Sequence, residues 1–136
     1  MQKPIRAIFF DIGGTLGTVD LSSKTLTPFA DVVNLIKTAR QIFHVPIGLI
    51  TNIPDDWTTA DVKSMLSKAG LLGLFAPAGI ITSRDAGASK PDVHVYQFAA
   101  TQLGVLTSEC LFVDDTAENV AGACKAGMSA IRKLAP

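Results

Sequence analysis

Ile5-Arg6-Ala7-Ile8-Phe9-Phe10-Asp11-Ile12-Gly13-Gly14-Thr15-Leu16 is the stretch that decides the fold. Its first half is almost continuously apolar and reads as a strand buried on both faces, the kind found inside a parallel sheet. It stops at a carboxylate followed by two glycines, an ending that a buried strand rarely has without a use for it. Similar short apolar runs recur downstream. Pro46 to Ile50 reads as a second strand that ends at Thr51-Asn52, and Gly79 to Thr82 as a third. Cys110 to Val113 reads as a fourth, ending in Asp114-Asp115, and Ser129 to Leu134 as a fifth.

Helical patterns fill the intervals. Thr27 as N-cap and Pro28 at the first helical position predict a helix whose buried stripe is Phe29, Val32, Val33, Ile36, Ala39 and Phe43. A second helix is expected from Thr59 to Ala69, closed by Gly70, and a third from Ser89-Lys90-Pro91-Asp92 to Leu103, closed by Gly104. A fourth runs from Asn119 to Ala126 and stops at Gly127. Strands alternating with helices predict an α/β fold with three layers, a doubly wound parallel sheet of five strands covered on both faces, in one domain spanning 1–136. Ligands in such sheets bind at the carboxyl ends of the strands. Asp11, Thr51 and Asp114-Asp115 all fall at those ends, and Lys90 falls in the loop after the third strand.

Composition narrows the function. The chain has 136 residues, 48% of them hydrophobic, and a formal net charge of zero. No basic excess exists to hold a nucleic-acid backbone by charge. The longest apolar runs are strand-length, too short to span a membrane, and the run after Lys3 and Arg6 ends at once in Asp11, unlike a signal peptide. A cytoplasmic protein with no membrane partner is expected. Cys110 and Cys124 have no zinc-like spacing and read as reduced, buried residues.

A carboxylate at a strand tip can attack phosphorus once charge repulsion is cancelled. A divalent cation held by two carboxylates does this and orients the phosphoryl group. Asp11 and Asp115 are the natural pair, with Asp114 behind them or acting through water. Lys90 would neutralise further charge, and Thr51 would donate a hydroxyl hydrogen bond. The Gly13-Gly14-Thr15 turn offers backbone N–H groups at which glycine lets a phosphate come close. An aspartyl-phosphate on Asp11 would then split the reaction into two easier steps.

These residues resemble four motifs of the haloacid dehalogenase (HAD) superfamily, in order and at the expected strand ends. Phe10 to Leu16 resembles the first, Ile50-Thr51-Asn52 the second, Ser89 to Asp92 the third, and Phe112 to Asp115 with Asn119 the fourth. The resemblance implies a Rossmann-like core with strand order 5-4-1-2-3 and a magnesium ion at Asp11, Asp114, Asp115 and the backbone carbonyl of Gly13. It implies Asp11, Thr51 and Lys90 as catalytic residues. Phosphate would be held by Gly13, Gly14, Thr51, Asn52 and Lys90. Mostly phosphatase activity goes with this pattern.

Two departures qualify it. The superfamily's phosphatase motif has a second Asp two residues after the nucleophile, as general acid and base, and here that residue is Gly13. Loss of such a group costs about 10² to 10⁴ in rate, so a slow phosphatase stands beside a non-catalytic or regulatory phosphate-binding module. The intervals from Asp11 to Thr51 and from Thr51 to Lys90 are each about forty positions, taken up by core elements, with no room for a cap domain. Candidate covers are a Gly17–Leu26 flap and the Ile53–Thr58 loop with Trp57. An uncapped site suits a large phosphorylated substrate or cover from a second copy in a homodimer. It disfavours dehalogenase or phosphonatase chemistry, which relies on cap residues.

Singly, each residue also has a structural reading: Asp115 or Thr116 as a helix cap, Lys90 as an exposed helix-start lysine, Thr51-Asn52 as a turn. His44 and His94 read as ordinary helix residues, Trp57 as packing, and Asp55-Asp56 as a solvated loop. The glycine turn lacks G-x-G-x-x-G spacing for a dinucleotide. A response-regulator receiver would carry its acidic pair on the first strand, not the fourth.

Overall fold

A computed structural model describes residues 3–134. Five strands form one parallel sheet: β1 (Ala7–Phe10), β4 (Ile47–Thr51), β5 (Ile80–Thr82), β6 (Cys110–Asp114) and β7 (Ser129–Arg132). Their spatial order is β5-β4-β1-β6-β7. Counted over these core strands alone, that is the 5-4-1-2-3 order expected above. Side chains alternate across the sheet. Ile8 and Phe10 of β1 therefore pack on one face with Val32 and Ile36 of helix α1 (Ala30–Phe43) and Val62, Met65 and Leu66 of α2 (Thr59–Lys68). Ala7 and Phe9 pack on the other face with Val95, Tyr96 and Ala99 of α4 (Val93–Gln102) and Ala123 of α5 (Ala117–Ala126). The short helix α3 (Ser83–Ala86) precedes α4.

The expected helix start at Thr27-Pro28 is wrong. Strands β2 (Gly17–Asp20) and β3 (Thr25–Pro28) form an antiparallel hairpin, with Thr18 opposite Thr27 and Val19 opposite Leu26. Thr18, Val19, Thr25 and Thr27 are β-branched, a preference that outweighs the cap signal. Helix α1 starts only at Ala30, after Phe29. The hairpin turn is built on Asp20, whose Oδ1 accepts hydrogen bonds from the Ser22 and Ser23 amides at 3.0 and 3.2 Å. Its far end is tied down by Lys24, 3.1 Å from Asp61 of α2 and 5.4 Å from the centre of the Trp57 ring.

Other boundaries shift by a few residues. Helix α4 begins at Val93, with Asp92 as its cap, not at Ser89, and α5 begins at Ala117 rather than Asn119. Cys110 is buried, and burial pushes its thiol up to about 12. Cys124 is exposed, against expectation, because it lies on the outer face of α5. No helix among the described residues is long and apolar enough to cross a membrane.

Candidate active site

The sheet register brings the site together. Phe10 lies beside Leu49 on one side and Val113 on the other, so Asp11, Thr51 and Asp114 leave the sheet within about one residue of the same level. This is the carboxyl edge where the chain's connections diverge to opposite sides of β1. Asp11 is 8% exposed, and its amide donates to the Val113 carbonyl at 2.9 Å.

Lys90 joins the two halves. Its ammonium Nζ lies 2.7 Å from Asp11 Oδ1 and 3.0 Å from Asp114 Oδ2. It is 6% exposed, which corrects the reading of an exposed helix-start lysine. It also sits 5.4 Å from the Phe112 ring centre, a favourable place for a cation. The loop carrying it is fixed by Asn52, whose Oδ1 accepts from the Lys90 amide at 2.8 Å and whose Nδ2 donates to the Lys90 carbonyl at 3.1 Å. Asn52 was expected on the phosphate; its side-chain amide is occupied by Lys90 backbone instead.

Asp114 has no exposed surface and accepts three hydrogen bonds. Its Oδ1 accepts from the Thr116 amide at 2.8 Å, and its Oδ2 from Asn119 Nδ2 at 3.2 Å as well as from Lys90. Asp115 is partly buried, and neither it nor Thr116 supplies a side-chain cap to α5. Thr15 spans the remaining gap. Its Oγ1 lies 3.3 Å from Asp11 Oδ2 and 3.2 Å from Asp115 Oδ1. The sequence reading gave Thr15 only a backbone role, yet its amide is bound to the Ile12 carbonyl at 3.1 Å. A hydroxyl four residues after Asp11 was the available signal for it.

The two turn glycines do different things. Gly14 has φ +84°, and a Cβ there would collide with the Asp115 carboxylate. Its amide donates to the Gly17 carbonyl at 2.9 Å. Gly14 thus admits Asp115 into the site, and its N–H is not free for a phosphate as expected. A Cβ on Gly13 would meet nothing within 4 Å. Among the described residues, the amides of Ile12 and Gly13 have no protein acceptor. Thr51 is 7% exposed, and its hydroxyl makes only a long 3.4 Å contact to the Asn52 carbonyl.

One oxygen from each of Asp11, Asp114 and Asp115 lies within 4.8 Å of the others. Three carboxylates against one ammonium leave the cluster strongly negative when ionised. Burial, more than any neighbour, pushes Asp11 up to about 6, with Asp114 and Asp115 adding to the rise and Lys90 opposing it. A hard divalent cation with a preference for oxygen fits this donor set. The imidazoles are elsewhere: His44 ends α1 and His94 pairs with Asp92 at 2.7 Å on the surface.

A doubly wound sheet that gathers three carboxylates and a lysine at its switch point is an α/β domain whose polar site lies where such sheets bind ligands. The chain belongs to the haloacid dehalogenase-like hydrolase family, whose sequence pattern it matches over residues 17–127. It is 40% identical over 84 residues to Phosphatase MT3486 of Mycobacterium tuberculosis, and that match covers 62% of this chain and 36% of the relative. It is 26% identical over 109 residues to (S)-2-haloacid dehalogenase 4A of Burkholderia cepacia, covering 80% of this chain and 44% of that one. The chain thus spans less than half the length of these relatives. Among solved structures it resembles a HAD family hydrolase from Deinococcus radiodurans R1 with bound phosphate and sodium. The TM-score is 0.72 at 18% identity, covering 93% of this chain and 80% of that one. It also resembles the L-2-haloacid dehalogenase from Xanthobacter autotrophicus, with a TM-score of 0.77 at 17% identity, covering 94% and 77%. At these identities the structures show the shared fold.

Proposed function

We propose that the protein is a magnesium-dependent phosphohydrolase working through an aspartyl-phosphate on Asp11, slowed by the absence of an acid at position 13. The observation that carries this reading is the buried Lys90 ammonium shared between Asp11 and Asp114, with Asp115 beside them. Asp11, Asp114, Asp115 and the Gly13 carbonyl would hold the ion, which supplies charge neutralisation and orientation of the phosphoryl group. Lys90 keeps Asp11 positioned and offsets charge on the phosphate. Thr51 Oγ1 and the unpaired amides of Ile12 and Gly13 supply hydrogen bonds to phosphoryl oxygens. Asp11 attacks phosphorus, the leaving oxygen departs with its electron pair, and water then releases inorganic phosphate from the Asp11 acyl-phosphate. The similarity to a phosphatase supports this; the likeness to haloacid dehalogenases supports the shared carboxylate nucleophile. Three clustered carboxylates favour a bound cation, which would offset the charge of a phosphate.

The test is hydrolysis of an aryl phosphate with and without magnesium. Activity is expected to require the ion and to vanish in Asp11→Asn. Unchanged activity in Asp11→Asn would sink the nucleophile assignment, and turnover of 2-chloropropionate in place of phosphate esters would move the reading to dehalogenase chemistry. Gly13 itself favours a second reading, a phosphate-binding module without turnover. Phosphate binding with no hydrolysis in wild type, and hydrolysis gained in Gly13→Asp, would establish it.

A further inference from the structure

Next to the phosphoryl site lies an apolar cavity of about 120 Å³. Gly13, Thr51 and Asn52 form its inner end. Val19 and Leu21 of the hairpin form one wall, and Trp57, Val62 and Met65 another. The hairpin is packed on the core through Leu26 and Val19, with the Lys24–Asp61 ion pair at its far end, so the cavity is built into the fold. Trp57, at 4% exposure, is packed into the core as well as lining the cavity. An apolar cavity of about 150 Å³ takes one benzene ring, so this one is of the size of a single ring.

The missing side chain at position 13 does two things at once. It removes the acid that would protonate a leaving oxygen, and it leaves open space at a residue that lines the cavity two positions after Asp11, since nothing lies within 4 Å of where its Cβ would be. An alkoxide leaving group, with an alcohol pKa of about 16 like that of water, needs that acid. A phenolate, with a pKa of about 10, does not. We infer that the cavity is a leaving-group site for the ring of an aryl phosphate. This rests on the phosphohydrolase reading above. The Asp11 carboxylate forms a bond to phosphorus as the phosphorus–aryl oxygen bond breaks. The electron pair leaves on the phenolate, which takes its proton from water, and a second water returns Asp11 and inorganic phosphate.

Trp57 is the only tryptophan in the chain, so its fluorescence reports the cavity without any turnover. Phenylphosphonate and methylphosphonate, neither of which can be hydrolysed by this route, are titrated against the full chain with magnesium. Phenylphosphonate is expected to bind at least about tenfold more tightly and to shift the Trp57 emission. Leu21 is 60% exposed at the cavity wall, so the uncharged Leu21→Asn is expected to fold and to erase the phenyl advantage while leaving methylphosphonate unchanged. In turnover, phenyl phosphate is expected to exceed ethyl phosphate in kcat/KM by about 10² or more. Equal affinity for the two phosphonates, or a phenyl advantage untouched by Leu21→Asn, overturns the inference and leaves the phosphohydrolase reading standing. Failure of both phosphonates to bind, with 4-methylphenol still shifting Trp57, removes the phosphate reading and with it the aryl phosphate substrate.

Discussion

Asn52 holds Lys90 by both ends of its residue, accepting from its amide at 2.8 Å and donating to its carbonyl at 3.1 Å. One planar side chain thereby fixes the loop that delivers the ammonium to Asp11. Asn52→Ala is expected to destabilise the protein by about 1–3 kcal/mol, the cost of leaving these part-buried backbone groups without partners. Phosphate hydrolysis should fall with it, because Lys90 loses its position while keeping its charge. Urea unfolding gives the first quantity and kcat/KM the second. If Asn52 acted on phosphate directly, KM would rise with stability unchanged.

Burial has a pH signature in the metal-free protein. Asp11 titrates near 6 in the folded chain, against an ordinary value of 3.8. The native state therefore holds this proton where the unfolded chain has released it, and stability contributed by the group is present below about pH 4 and lost as pH rises through 6. In chelator, the stability of Asp11→Asn relative to wild type is expected to improve by about 3 kcal/mol between pH 4 and pH 8. A difference that does not change with pH would contradict the raised value. Magnesium should reduce the gap at high pH by stabilising wild type selectively.

How much of this was legible beforehand depended on the range of the interaction. The sheet was readable because Ala7–Phe10, Ile47–Ile50 and Cys110–Val113 are continuously apolar, and each run stops at a polar residue, Asp11, Thr51 or Asp114. Asp11, Thr51, Lys90 and the Asp114-Asp115 pair could be brought to one rim because each lies at, or in the loop after, the carboxyl end of a parallel strand. The hairpin was hidden by Thr27-Pro28, a local cap signal overridden by pairing with Gly17 and Thr18. The roles of Asn52 and Thr15 were hidden for a different reason. Each depends on a contact, Asn52 with Lys90 and Thr15 with Asp115, made across 38 and 100 positions of sequence. Only the folded register supplies these.

The same long-range dependence explains a glycine inside a helix. Gly122 lies within α5, where glycine costs about 0.5–1 kcal/mol relative to alanine. A Cβ there would strike Pro91, with the Pro91 Cβ only 2.7 Å away. Pro91 follows Lys90, so Gly122→Ala is expected to lose stability despite its better helix propensity, by about 1–3 kcal/mol from overpacking. Thermal unfolding checks this, and stabilisation by the substitution would show that the contact yields without strain. Hydrolysis should fall further than stability, because the displaced segment carries the Lys90 ammonium toward Asp11.

Gly13→Asp tests what the missing acid costs. The position accepts a Cβ without collision and needs no positive φ, so the variant is expected to fold with near-normal stability. A carboxylic acid two residues after Asp11 can protonate a departing alkoxide, worth about 10² to 10⁴ in rate. The gain should therefore be concentrated on ethyl phosphate and small on phenyl phosphate, whose leaving group needs no proton. The same carboxylate would stand at the inner end of the apolar cavity, so affinity for phenylphosphonate should fall. The aryl-over-alkyl preference is thus expected to collapse from both directions, measured as the ratio of kcat/KM for the two esters. An equal gain in kcat on both esters with kcat/KM unchanged would mean that the introduced carboxylate acts on the hydrolysis of the aspartyl-phosphate rather than on leaving-group departure, and no gain on either would place the missing step elsewhere than at this residue.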